Sequence, residues 1–192
     1  MKIKELLTKK EFDSLKILKF DDEVVLFHEQ EKCESVCYVI SGEVDIVSYS
    51  YNGEENIISK ITDDEFFANA LIFSKSPYYL GEVVAKKKTS LILIRKDKLL
   101  ELFKQNEDFL EFYLQKMSDK TIYMSSRNKL LAHKNIRDRI LYYFEINQGR
   151  INMSIAQLSR DLILPRPSVS REVSKMIQEG LIIKRKKVLI LK

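Results

Sequence analysis

The chain predicts an α+β fold in three parts: a β-rich front, one long helix, and a helical C-terminal segment closed by a β-hairpin. Three observations predict it. Short apolar runs separated by turn residues fill most of residues 19–95. Apolar residues recurring alternately four and three positions apart run through much of residues 98–133. Two short amphipathic stretches separated by Pro165 then precede two apolar runs around a basic tip. Hydrophobic period distinguishes the strand-like from the helical segments, and their segregation along the chain argues against alternating β-α-β units.

The front opens on Thr8-Lys-Lys-Glu11, a capping-box pattern that starts a short helix burying Phe12, Leu15 and Leu18. Strands are expected at Glu23–Phe27, Ser35–Ile40, Glu43–Tyr51, Asn56–Ile61, Gly81–Ala85 and Ser90–Ile94. Turn signals at Ser41-Gly42, Asn52-Gly53 and Asp63-Asp64 separate them. Asn-Gly favours a hairpin because both residues tolerate positive φ. Many short strands at this spacing imply a sandwich or barrel rather than a parallel sheet.

At the C-terminal end, Ser154 and Gln157 again make a capping-box pattern, followed by Ile155, Leu158 and Leu162 as the inner face of a short helix. Ile163-Leu164 is the turn and Pro165 the break. Pro167 falls in the first turn of the next helix, where a missing N–H costs nothing. Val169, Val173, Met176 and Ile177 form that helix's buried stripe, and Gly180 ends it. Arg166, Ser168, Ser170 and Arg171 are left facing outward. A helix beginning with arginines and small hydroxyls can lie in a DNA major groove and offer its first turns to base edges. Leu181–Ile183 and Val188–Leu191 flank Lys184-Arg-Lys-Lys187 as a β-wing. Lys184, Arg185 and Lys186, with Ser154 and Lys175, are candidate phosphate contacts.

Charge divides the chain in the same way. Residues 134–192 hold 13 Lys/Arg against 5 Asp/Glu, a net of +8, whereas residues 1–133 carry a net of −3. That is the footprint of a polyanion contact confined to one end.

The intervening helix, Lys98 to His133, carries a heptad seam of Leu110, Leu114, Met117, Thr121, Met124, Asn128 and Leu131, with polar Thr121 and Asn128 at two a-type positions. Packing on the helix's own domain would produce a similar stripe. A two-stranded dimer seam is preferred because two-fold DNA readers need a dimer axis. Asn135 is the expected N-cap of a further helix, Ile136–Ile146, burying Ile140, Leu141 and Phe144.

Composition excludes several classes. No apolar run approaches a membrane span, and the lysine-rich start lacks a signal peptide's apolar centre, so a cytoplasmic location without membrane contact is expected. Two cysteines, Cys33 and Cys37, cannot form a disulfide framework. Two histidines are too few for a cupin-type metal site, and no Ser-His-Asp set, phosphate-binding glycine loop or metal-spaced cysteine group can be drawn, so no enzyme is expected.

Leu158-Ser-Arg-Asp-Leu-Ile-Leu-Pro-Arg-Pro-Ser-Val-Ser-Arg171 resembles the helix-turn-helix of the Crp/Fnr family of bacterial transcription regulators. Cys37-Tyr-Val-Ile-Ser-Gly-Glu-Val44 is similar to that family's front strand pair, and Asp64-Glu-Phe-Phe67 with Ala70-Leu-Ile-Phe73 to its next corner. The resemblance covers nearly the whole chain. It implies a cyclic-nucleotide-binding-like antiparallel β-roll, or jelly-roll, over residues 1–105, a dimerisation helix over 106–133, and a winged helix-turn-helix over 134–192. It also implies a homodimer on double-stranded palindromic DNA, contact with RNA polymerase if the protein activates, and control by a small effector. Pro167 stands where many members place a glutamate that accepts from cytosine, so one reading contact is missing. Ile163 stands where glycine or asparagine is common, which suggests a turn without a left-handed residue.

The resemblance also places the family's cyclic AMP contacts. The Gly-Glu pair for the ribose aligns with Ala68-Asn69, and the Arg-Ser pair for the phosphate with Tyr79-Leu80. Neither carries the required chemistry, which argues against cyclic AMP. An iron–sulfur cluster needs more cysteines than two. Haem would have to use His28 or His133, both expected at the surface. A thiol switch at Cys33/Cys37 is the alternative to their being small core side chains. A surviving effector pocket would be walled by Phe66, Phe67, Ala68, Asn69, Ala70, Tyr79 and Leu80, facing Met124 and Ser125. The same aromatic residues would equally fill an empty barrel as core.

Overall fold

A computed structural model describes residues 2–192. The chain forms two compact units, one reaching Asp119 and one of Lys120–Lys192. The first contains α1 (Ile3–Leu6), α2 (Lys9–Asp13), β1 (Lys16–Phe20), β2 (Val24–Phe27), β3 (Ser35–Ser41), β4 (Val44–Tyr49), β5 (Glu55–Ile61), β6 (Phe66–Phe67), β7 (Glu82–Ala85), β8 (Thr89–Arg95), α3 (Lys96–Gln105) and the first half of α4 (Glu107–Ala132). Two four-stranded antiparallel sheets, ordered β1-β8-β3-β6 and β2-β7-β4-β5, make a jelly-roll-like sandwich.

Strands β3 and β8 are buried along nearly their whole length. One face meets the facing sheet. On the other, Phe66 from β6 bridges Tyr38 of β3 to Phe112 and Tyr113 of α4. A strand covered on both sides needs apolar residues at consecutive positions, hence Val36-Cys-Tyr-Val39 and Leu91-Ile92. Between β3 and β4, Gly42 takes φ +101°, and a Cβ there would lie 2.6 Å from Thr89 Oγ1.

Two helical expectations change in this unit. The capping box at Thr8 and Glu11 forms, but α2 stops at Asp13. Leu18 therefore lies on β1, because Lys16–Phe20 pairs residue by residue with β8. The long helical region is also broken at Asn106 (φ −141°). Its Oδ1 accepts from the Phe109 N–H (2.9 Å), capping α4, and its Nδ2 donates to the Leu6 carbonyl (3.0 Å).

The second unit contains the remainder of α4, then α5 (Ile136–Ile146), β9 (Arg150–Asn152), α6 (Ile155–Asp161), α7 (Arg166–Gln178), β10 (Ile182–Arg185) and β11 (Val188–Leu191). Asn135 caps α5 by accepting from the Asp138 N–H (2.8 Å). Leu130, Ile140, Phe144, Leu158, Leu162, Val169, Val173 and Met176 close one core, with Ile151, Ile182 and Leu189 from the β10-β11-β9 sheet.

Candidate nucleic-acid interface

Helix α6 begins at Ser154, whose Oγ accepts from the Gln157 N–H (3.1 Å). The Gln157 amide is not turned back to complete a box. It donates to Asp161 Oδ1 (2.8 Å), while Asp161 Oδ2 accepts from the Tyr143 hydroxyl (2.8 Å), tying α6 to α5. Burial, then the bond to Asp161, pushes the Tyr143 phenol up to about 12.

The turn after α6 corrects the sequence expectation. Ile163 adopts φ +55°, so the turn does contain a left-handed residue. The Leu164 N–H reaches the Ser159 carbonyl (3.0 Å) and the Ile163 N–H the Arg160 carbonyl (3.1 Å). This is a Schellman ending, whose bonds close only when the residue after the cap is left-handed. The chain meets the geometry with a β-branched residue, at a strain of about 1–2 kcal/mol. Helix α7 ends on the same motif with the usual residue: Gly180 at φ +75°, and Leu181 N–H bonded to the Met176 carbonyl (3.0 Å).

Val169, Val173 and Met176 anchor α7 in the core, and Ile177 is half-buried. Arg166, Ser170, Arg171 and Lys175 are exposed, and Ser168 is half-buried. Arg171 Nε donates to the Pro167 carbonyl (3.3 Å). Among the described residues no carboxylate forms a salt bridge with Arg166 or Arg171, whereas Lys175 lies one turn from Glu179 and its charge helps to lower that carboxyl's pKa. Two further exposed residues, Ser174 and Gln178, share the Arg171 face at spacings of three and seven. The sequence reading passed over them, although that spacing was the available signal.

On the wing, Lys184, Arg185, Lys186 and Lys187 are all exposed, but the tip is tighter than expected. Lys184 and Arg185 lie within β10, opposite Leu189 and Val188, leaving Lys186-Lys187 as the turn. Lys186 takes φ +55°. Ser154 is exposed at the start of α6.

Along α4, Leu110 and Met117 are half-buried, whereas Leu114, Thr121, Met124, Asn128 and Leu131 are exposed. Leu114 and Met124 are each 52% exposed and Leu131 41%, so these three apolar seam residues face outward within this chain, while Met117 packs on the core of the roll. Phe109, Phe112, Tyr113 and Leu130, on other faces of the helix, are buried.

The corner expected to wall an effector pocket is divided. Phe66, Phe67, Ala68 and Tyr79 are buried in the roll; Asn69 is half-buried, and Ala70 and Leu80 are exposed. The Phe66 ring lies 4.8 Å from that of Tyr38 and 5.2 Å from that of Tyr113. Tyr79 stacks on Phe27 at 4.6 Å. Ala68 adopts φ +61°, a conformation glycine takes more readily. Met124 and Ser125 belong to the second unit and are exposed there.

Cys33 and Cys37 are free and buried. Burial raises both thiols above their ordinary value, Cys37 the further, so neither is poised as a thiolate. His28 is exposed beside Glu82 (3.3 Å), and His133 lies 4.9 Å from the Tyr142 ring. Among the described residues no helix is long and apolar enough to cross a membrane, and no cluster of three His, Cys, Asp or Glu could hold a metal.

Comparison with known proteins places this architecture. Residues 17–106 match the cyclic nucleotide-binding domain family. The cAMP-activated global transcriptional regulator CRP of Pasteurella multocida is 30% identical over 100 residues, 46% of this chain and 48% of the relative. The match thus spans about half of that relative's length. A transcriptional regulator from Thermotoga maritima superposes with a TM-score of 0.59 at 25% identity, over 68% of this chain and 98% of its own. The catabolite activator protein of Thermus thermophilus shares the fold at 17% identity, TM-score 0.53, over 97% of this chain and 91% of its own. Residues 17–106 therefore carry a cyclic nucleotide-binding domain, and the fold of the chain is shared with that of these transcription regulators.

Proposed function

We propose that this chain is a homodimeric transcription regulator that binds palindromic double-stranded DNA in a sequence-specific manner, with one α7 in each of two successive major grooves. One observation carries the reading. The exposed face of α7 presents Arg166 and Arg171 without a salt bridge to any carboxylate among the described residues, together with Lys175, beside a basic wing and within a segment of net charge +8. Arginine can donate two bonds to guanine O6 and N7, and the wing lysines suit phosphate. Ser154, Ser168, Ser170, Lys184, Arg185 and Lys186 are the accompanying contacts. Leu110, Leu114, Met117, Met124 and Leu131 form the dimer seam, with Thr121 and Asn128 setting its register. As a repressor the dimer needs only to occupy a promoter; as an activator it would also touch RNA polymerase.

The roll does not suit a cyclic nucleotide. Tyr79 and Leu80 supply no cation for a cyclic phosphate, and Ala68-Asn69 supplies no carboxylate for a ribose. Phe66 and Tyr79 already pack against other aromatic rings. We read these residues as core, and an effector of this chain as chemically different from cyclic AMP.

Fluorescence anisotropy with labelled duplex DNA across a salt series tests the reading. A log–log salt slope of about −6 or steeper is expected of a dimer neutralising several phosphates. Absence of binding at low salt would overturn it. Replacing Leu114 and Met124 with glutamate should yield a monomer in sedimentation; a persistent dimer would exclude the seam.

A further inference from the structure

One arginine behind the recognition helix is placed to govern its electrostatics. Arg137, in the first turn of α5, donates from Nε to Glu172 Oε1 (2.6 Å) and from Nη2 to Glu179 Oε1 (3.0 Å). Its Nη1 lies 2.8 Å from Glu179 Oε2. Three nitrogens of one rigid fork thus span carboxylates about two helical turns apart. Arg139 does the matching work on α6, its Nε bonded to the His133 carbonyl (2.8 Å) and its Nη1 to that of Leu162 (3.3 Å). The first turn of α5 therefore holds both helices of the motif.

Glu172 is the sole acidic residue within α7, and Glu179 is its C-cap. Helical spacing puts both on a flank, between the buried Val169/Val173/Met176 stripe and the exposed face bearing Arg171. A major groove is about as wide as a helix with its side chains, so the flanks of an inserted helix face the phosphate rows. Carboxylates free on that flank would repel phosphates well within a Debye length. Pairing to Arg137 offsets one of their two negative charges and holds both carboxylates toward α5. The pairing holds the Glu179 carboxyl below its ordinary value, through the hydrogen bond from Arg137.

We propose that Arg137 is a positioning residue for DNA recognition, acting through Glu172 and Glu179 by halving their net negative charge along the flank of α7. The inference rests on the DNA-binding reading above. Four proteins test it on one selected duplex: the parent chain, Arg137→Gln, Glu172→Gln/Glu179→Gln, and the triple variant. Arg137→Gln should weaken binding about tenfold, and the triple should return to within about threefold of the parent. Glu172→Gln/Glu179→Gln should bind at least as tightly as the parent, because Arg137 is then released beside DNA. Thermal melting of each protein separates charge effects from unfolding. Unchanged affinity in Arg137→Gln, a triple as weak as Arg137→Gln, or weaker binding by the double would overturn the inference. Salt-insensitive or absent binding by the parent would overturn the DNA-binding reading itself, and this inference with it.

Discussion

The two units treat their characteristic side chains in opposite ways. In the roll, the corner carrying Phe66, Phe67 and Tyr79 turns its aromatic rings inward, onto Tyr38, Tyr113 and Phe27. In the C-terminal unit, α7 buries three apolar residues and leaves Arg166, Arg171 and Lys175 exposed. Inward-facing rings stabilise a core whether or not a ligand ever visits. Exposed cations contribute little to folding, so their arrangement supports the proposed contact with DNA. The second unit therefore bears the proposed function, and the first mainly a fold.

The largest expected effect tests the filled corner. Phe66→Ala should cost the first unit about 3–5 kcal/mol in urea unfolding, the penalty of a large buried cavity. A cost below about 1 kcal/mol would mean that the corner is open and adaptable, as a ligand site would be. Next in size, Arg171→Ala should lose about 1–3 kcal/mol of binding to a selected site while leaving the melting temperature unchanged. Equal losses on selected and random duplexes would reduce Arg171 to a phosphate contact. Ser154→Ala should destabilise the second unit by about 1 kcal/mol, because the Gln157 N–H loses its acceptor. The smallest effect has the opposite sign. Ile163→Gly relieves the left-handed strain at the cost of chain entropy, and should raise the second unit's melting temperature by about 3–6 °C. A fall would show that the Ile163 side chain contributes more by packing than its φ costs.

How much was legible in the sequence follows the same division. Pattern along the chain identified α5, α6, α7 and the wing, because each has a cap or a breaker at its ends: Asn135, Ser154, Pro165, Gly180. It also located β2, β3, β4, β5, β7 and β8 to within a few residues, since the turns between them are marked. Strands β6 and β9, of two and three residues, were invisible because only pairing with β3 and β11 makes them strands. Leu18 was assigned to a helix because its spacing from Leu15 fits either structure, and only the register with β8 decides. The break at Asn106 left the apolar stripe intact and so escaped notice. At Ile163, reasoning from residue preference failed for a physical reason. A tertiary turn imposed the left-handed conformation, and a β-branched side chain tolerated it.

Among candidate site residues, those on α7 were readable from helical spacing, although Ser174 and Gln178 were passed over. The Arg137–Glu172–Glu179 cluster was not, because its members lie 35 and 42 residues apart in the chain.

The central claim is that α7 reads base sequence as part of a two-fold dimer. Selection of preferred sites from a random duplex pool, with purified protein and no added ligand, tests it most directly. The account predicts an enriched palindrome whose half-sites are centred about one helical turn apart and whose enrichment disappears with Arg171→Ala. A pool that stays random with added candidate effectors as well as without them, or a motif unaffected by Arg171→Ala, would contradict it.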